Sequence, residues 1–167
     1  LVADTIIQYF DVIGVLLLLW ILMRFVDKEP FINLGFSLKG KVNDIILGMT
    51  LGLLLMAVGY TILILLGEIK FIGFNYDLKN IILIFLLFIA VSIAEETYVR
   101  GYVLKNLLQS FNPIISLIIS SAIFSLLHFF NPNVNYIALT ELFIAGILLG
   151  ISYVYTKNLW FPIALHL

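Results

Sequence analysis

The sequence contains no cysteine and few charges, and both absences narrow what the chain can be. Without cysteine among its 167 residues, it has no disulfide framework, no thiolate nucleophile and no cysteine-ligated zinc site. Charged residues make up 11% of the chain, whereas a soluble domain has about a quarter. The net charge of −1 gives no indication of a nucleic-acid partner. A hydrophobic fraction of 63% and a mean hydropathy of +1.17 instead predict a polytopic, all-α membrane protein.

Long apolar runs between polar connections predict a bundle of about six membrane helices, the last one truncated. The predicted spans are 5–26, 45–66, 81–108, 114–130 and 136–155, with a sixth that begins at Leu159. Asn131-Pro132-Asn133 marks the end of the fourth span. We divide the chain into two N-terminal helices with their connections, 1–79, and a C-terminal core, 80–167. Since the chain opens on Leu1 and stops in an apolar run, we expect further residues at both ends.

Two glycine pairs and the positive charges add detail to this bundle. Gly48-x-x-x-Gly52 and Gly146-x-x-x-Gly150 predict faces where helices pack closely.

The positive charges predict the orientation in the membrane. The first, third and fifth connections together hold seven basic residues, Arg24, Lys28, Lys39, Lys41, Arg100, Lys105 and Lys157. The other side has only Lys70 and Lys79. By the positive-inside rule the odd connections are cytoplasmic, which puts the Arg100 end of the third helix in the cytosol of a multi-pass cell-membrane protein.

Two adjacent glutamates interrupt the third apolar span. Glu95 and Glu96 follow fourteen uncharged residues, and Arg100 lies four positions after Glu96. A charged side chain at the centre of a bilayer costs about 2.5–3.5 kcal/mol, so such residues mark functional sites by default. Glu96 and Arg100 form a favourable i,i+4 pair, while Glu95 lies about 100° around the helix without a nearby partner. By contrast, we expect Asp11 in the first span to be interfacial or cavity-facing rather than catalytic.

The hairpin between the third and fourth spans predicts a meeting of Glu95 with a histidine. Glu95 lies 17 residues before Asn112, and His128 lies 16 residues after it. Two antiparallel helices folded there place both side chains at the same depth, about 24–26 Å from the turn. A carboxylate beside an imidazole, in a site that water reaches, is typical of general-base hydrolysis. The chain has only one other histidine, His166, and it also lies in an apolar segment.

Several motifs, in order, resemble the CPBP family, which includes CAAX prenyl proteases of the Ras-converting type and bacteriocin-processing or immunity proteins. They are Glu95-Glu96-x-x-x-Arg100-Gly101, Phe124-x-x-x-His128, Leu142-Phe143-x-x-Gly146-x-x-x-Gly150 and Leu159-Trp160-x-Pro162-Ile163-x-x-His166. The resemblance covers about 80–167. It implies an intramembrane protease core with Glu95 as the base that activates water, His128 as its partner and His166 as an oxyanion donor. Residues with implied supporting roles are Glu96, Arg100 and Phe124.

The resemblance leaves the metal question open. Members of the family are often described as metalloproteases, and Glu95, His128 and His166 would give a divalent metal such as zinc three ligands and leave a position for water. The chain has no His-Glu-x-x-His helix, however, and a glutamate next to a histidine can activate water without a metal. We favour the metal-free reading.

The leading hypothesis is an intramembrane endopeptidase that cleaves peptide or protein substrates, including lipid-modified ones, near the cytosolic face. Membrane lipids are the other predicted partners, since they surround the helices. The alternative is a non-catalytic membrane module, for bacteriocin immunity or protein sorting, that binds a peptide in the same cavity. A proton-coupled transporter would show inverted repeats with matching broken helices, and the sequence has no such symmetry. The last motif is incomplete at Leu167. We expect the natural chain to carry asparagine or aspartate at the fourth residue after His166, and a chain that stops at Leu167 to have little or no activity.

Overall fold

The computed structural model describes residues 2–74, 76–132 and 134–167, with side chains from Ile6 onward, and the predicted all-helical bundle is confirmed. Helix α1 runs over Val2–Ile21 and continues as a π-helical turn, Leu22–Asp27. The other helices are α2 (Val42–Leu65), α3 (Leu78–Ser110), α4 (Pro113–Leu127), α5 (Tyr136–Thr156) and α6 (Trp160–His166). Four of these six, α1, α2, α3 and α5, are long and apolar enough to cross a membrane. Asn133, part of the predicted break after α4, lies outside the described residues.

Helix α4 is shorter than predicted. It begins with Pro113 after an Asn112 cap whose side chain accepts from the backbone of Ile115, but it ends at Leu127 rather than 130. The backbone N–H of His128 bonds to the carbonyl of Ser125, three residues back, which tightens the last turn. His128 is therefore the residue that caps α4, not a residue within it. The backbone N–H of Phe129 likewise bonds three residues back, to Leu126, so the α-helical bonding pattern has ended before Pro132, which prevents the helix from resuming.

Both glycine pairs are confirmed as sites of close helix packing. A Cβ at Gly48 would lie 2.6 Å from the carbonyl oxygen of Phe161, and one at Gly52 would lie 3.0 Å from that of Leu165. Helix α6 therefore rests directly on the backbone of α2. Likewise, a Cβ at Gly146 would lie 2.9 Å from Cβ of Ser121, so α4 and α5 meet at that point.

The first connection, read from sequence as merely polar, contributes to the packed core. Leu34 lies in a short 3₁₀ helix, Phe31–Leu34, and is fully buried. The carbonyl of Gly35 accepts from the backbone N–H of Leu159 (3.0 Å), and the indole of Trp160 donates to the carbonyl of Phe36 (3.3 Å). These bonds hold the connection against the start of α6 and so fix the helix that carries His166.

The glycine packing gives a stability prediction. Gly48→Ala is expected to destabilise the protein by about 1–3 kcal/mol, because the added methyl group meets a backbone oxygen that cannot rotate away. Gly59→Ala is the matched control, since it lies in the same helix with nothing within 4 Å of the new Cβ. Thermal unfolding in detergent measures both. Equal melting temperatures for the two variants would show that α6 does not depend on this contact.

Candidate active site

A fully buried ion pair forms the base of the site. Glu96 and Arg100 are both completely buried on α3, and Arg100 Nη1 donates to Glu96 Oε1 at 2.9 Å. Arg100 Nη2 donates to the carbonyl of Gly146 on α5 at 3.2 Å. The predicted i,i+4 pair is thus confirmed, and it also ties α3 to α5. Among the described residues, Glu96 Oε2 and Arg100 Nε are buried without a hydrogen-bond partner, so the pair is only partly satisfied.

The ring of Phe124 lies at the centre of the site. Its centroid is 4.4 Å from the guanidinium carbon of Arg100, a cation–π contact. The imidazole of His128 lies edge-on to it at 5.0 Å between centroids, and that of His166 at 5.9 Å. Phe124 itself is 2% exposed. One rigid aromatic ring therefore contacts the buried cation and both histidines.

Glu95 lies between the two imidazoles. Its Oε1 is 3.8 Å from Nε2 of His128, and its Oε2 is 3.8 Å from Nε2 of His166. These separations are too long for direct hydrogen bonds, so Glu95 is a neighbour of both imidazoles without being bonded to either. The Glu95 side chain is 28% exposed, whereas that of its neighbour Glu96 is fully buried. Of the two adjacent acids, Glu95 is therefore the one that reaches solvent.

Hydrogen bonds fix the orientation of both imidazoles. Nδ1 of His128 lies 2.8 Å from the carbonyl oxygen of Phe124, which can only accept, so this nitrogen carries a proton. Nδ1 of His166 lies 2.8 Å from Glu96 Oε1, the oxygen that also accepts from Arg100. In both rings Nε2 is thus the atom that faces Glu95. A carboxylate or carbonyl behind an imidazole is a common way to set its tautomer and direction.

A π-helical stretch follows the glutamate pair directly. Residues Thr97–Leu104 of α3 adopt this wider helix before the chain returns to α-helix at Lys105. Arg100 lies inside the stretch, as does Gly101, where a Cβ would come 3.2 Å from the carbonyl of Leu34. π-Helical turns are rare in proteins, and those that do occur are often located at functional sites.

The chain also matches the model of a known protein family. The model of the Rce1-like type II CAAX prenyl endopeptidase family matches residues 77–167, more than half of the chain. The chain belongs to this family. No curated protein and no solved structure matches it. The CPBP resemblance is therefore confirmed, and the protein is placed among intramembrane CAAX proteases, whose substrates are peptides or prenylated proteins.

A cavity of about 310 Å³ lies beside Glu95, between α1 and α3, and Asn131 of the α4–α5 connection also lines it. Its α1 residues lie outside the matched range 77–167. Asp11, predicted to be interfacial or cavity-facing, lines the same cavity.

The predicted metal ligands are near one another but do not converge in the part of the chain that the structure describes. There, no group of three or more His, Cys, Asp or Glu side chains is placed to hold a metal ion. The metal site at these three residues stays a prediction, and the mechanism below does not use it.

The link between His166 and Glu96 is the contact that sequence reasoning missed in the Rce1-like site. From the sequence, Glu96 was expected to pair only with Arg100, and His166 was expected only to stabilise an oxyanion. The two residues are 70 positions apart, and their contact depends on α6 packing against α2. The close-packing Gly48-x-x-x-Gly52 signal was visible in the sequence, but its partner helix was not.

Proposed function

We propose that this protein is an intramembrane endopeptidase in which Glu95 acts as the general base for water. The observation that carries the proposal is the position of Glu95, whose side chain is 28% exposed and whose two carboxylate oxygens each lie 3.8 Å from an imidazole nitrogen. A water molecule that contacts Glu95 and His128 can lose a proton to the carboxylate as its oxygen attacks a peptide carbonyl. The proton then passes from Glu95 to the leaving amine, so that the carboxylate is regenerated.

His166 can act as the oxyanion donor only in its protonated form. Because Nδ1 is directed at Glu96, the nitrogen that faces the reacting centre is Nε2, and neutral His166 has no hydrogen there. His166 must therefore be an imidazolium ion to donate to an oxyanion. Burial opposes that charge, the adjacent carboxylates of Glu96 and Glu95 favour it, and Arg100 opposes it. A charged, preorganised donor stabilises the tetrahedral intermediate more than a neutral one does.

The proposed substrates are membrane-tethered peptides or proteins, including prenylated ones, cut near the cytosolic face. The test uses the product of the complete gene, reconstituted in liposomes with a prenylated CAAX peptide, and mass spectrometry of the products. We expect release of the C-terminal fragment from the prenylated peptide. Binding of that peptide without any cleavage would instead support the non-catalytic alternative.

Metal dependence can be decided in the same assay. Excess EDTA or 1,10-phenanthroline is expected to change the rate by less than about twofold, because the proposed base is a carboxylate and not a metal-bound water. The control is the chelator saturated beforehand with zinc. Loss of activity that added zinc restores would show that cleavage depends on a metal and would contradict the metal-free mechanism.

A further inference from the structure

Asp11 is a second acidic residue in the lining of the cavity beside Glu95. Helix α1 contributes Gln8, Asp11 and Val15 to this lining, and α3 contributes Val91 and Glu95. Because both carboxylates line a single cavity of about 310 Å³, an occupant that fills the cavity contacts both of them. A sphere of that volume is about 8 Å across, and an extended peptide advances about 3.3 Å per residue. The cavity therefore has room for two or three residues of a peptide bound at Glu95.

The position of Asp11 in the fold indicates an aqueous environment. It lies within Ile6–Asp27, a segment long and apolar enough to span the membrane. Acids in such segments are tolerated where they face the bundle interior or a water-filled cavity, and there they mark substrate or ion pathways. Asp11 is exposed and lines the cavity beside Glu95, as do the polar side chains of Gln8 and Asn131.

The charge of the cavity lining indicates which kind of peptide can bind there. The described residues that form the wall include two carboxylates, Asp11 and Glu95, and no lysine or arginine. The amides of Gln8 and Asn131 can donate to and accept from a peptide backbone. A wall with acids, amides and valines complements an extended peptide that carries a positive charge.

We propose that Asp11 is a specificity-determining residue that binds a lysine or arginine side chain of the substrate, within about three residues of the scissile bond. The proposal rests on the proposed function only in taking Glu95 as the position of that bond. It adds a preference for cationic substrates that the glutamate–histidine centre alone does not provide.

The test measures binding rather than cleavage, so that it does not depend on the proposed chemistry. The complete gene product with Glu95→Gln is titrated with fluorescent prenylated CAAX peptides. Each peptide carries one lysine at a position up to three residues from the scissile bond, and its partner carries glutamine at the same place. For at least one position we expect the lysine peptide to bind about tenfold or more tightly, and Asp11→Asn to abolish that ratio.

Glu141→Gln is the matched control, because Glu141 is also an acid in a membrane-spanning helix but does not line the cavity. It should leave the lysine-to-glutamine ratio unchanged. With Asp11→Lys, a third peptide that carries glutamate at the same position should bind more tightly than the lysine peptide. The proposal is overturned if lysine and glutamine peptides bind equally at every position, or if the ratio survives Asp11→Asn. Failure of the proposed function would appear separately, as peptides that bind but are not cleaved by the protein with Glu95 intact.

Discussion

Glu95→Gln is expected to lower kcat by about 10²–10⁴-fold while the protein still inserts, folds and binds its substrate. Glutamine keeps the volume and the hydrogen-bonding atoms of the side chain but cannot take a proton from water. No hydrogen bond shorter than 3.5 Å from Glu95 to either histidine is lost, since both separations are 3.8 Å. The measurement is steady-state cleavage of a prenylated CAAX peptide, with melting temperature as the check on folding.

Glu141→Gln serves as the control for removal of an acid from a membrane helix. Glu141 lies in α5, is exposed on the surface of the bundle, and should have nearly unchanged kcat as glutamine. Glu95→Gln with near wild-type turnover would remove Glu95 from the chemistry, whatever the behaviour of the control.

Arg100→Met is expected to destabilise the protein by about 3–5 kcal/mol, because it leaves the carboxylate of Glu96 buried and without its main partner. The same change removes the bond to the Gly146 carbonyl and the contact with the Phe124 ring. The double variant Glu96→Gln/Arg100→Met should recover part of this loss, since no unpaired buried charge remains. Thermal unfolding in detergent compares the three proteins.

Lys105→Met provides a control with the same kind of pair at the surface. Lys105 Nζ lies 2.9 Å from Glu29, but the two side chains are 27% and 45% exposed. Exposed pairs contribute about 0–1 kcal/mol, so this variant should melt close to wild type. If Arg100→Met melts like Lys105→Met while activity falls, the Glu96–Arg100 pair acts in the reaction and not in the fold.

Much of this architecture could be predicted from the sequence, because the membrane imposes strong local patterns of apolar residues. Apolar runs long enough to span a bilayer located α2 and α5 to within about three residues at each end. The i,i+4 spacing of Glu96 and Arg100 predicted their ion pair, since helix geometry alone brings such residues together. The hairpin at Asn112 predicted equal depth for Glu95 and His128 from chain length on either side of one turn, and they lie 3.8 Å apart.

The remaining features depend on tertiary contacts that no local pattern encodes. The π-helical Thr97–Leu104 has ordinary helix-forming residues, and its wider backbone coincides with burial of Arg100 and Gly101 against other elements. The burial of Leu34 in the core could not be predicted, because the connection that contains it is rich in charged residues. The orientation in the membrane and the roles of Glu95, His128 and His166 stay predictions.

The most direct test of the claim that Glu95 and His128 act on the same water is a double-mutant cycle with Glu95→Gln and His128→Gln. Groups that act as one unit show strongly non-additive losses, so that a second substitution adds little to the first. Cleavage of the prenylated CAAX peptide is measured for both single variants and the double variant of the complete gene product. We predict that the double variant is no slower than about threefold below the slower single variant. Losses that multiply would contradict the account, because they would show the two residues contributing independently.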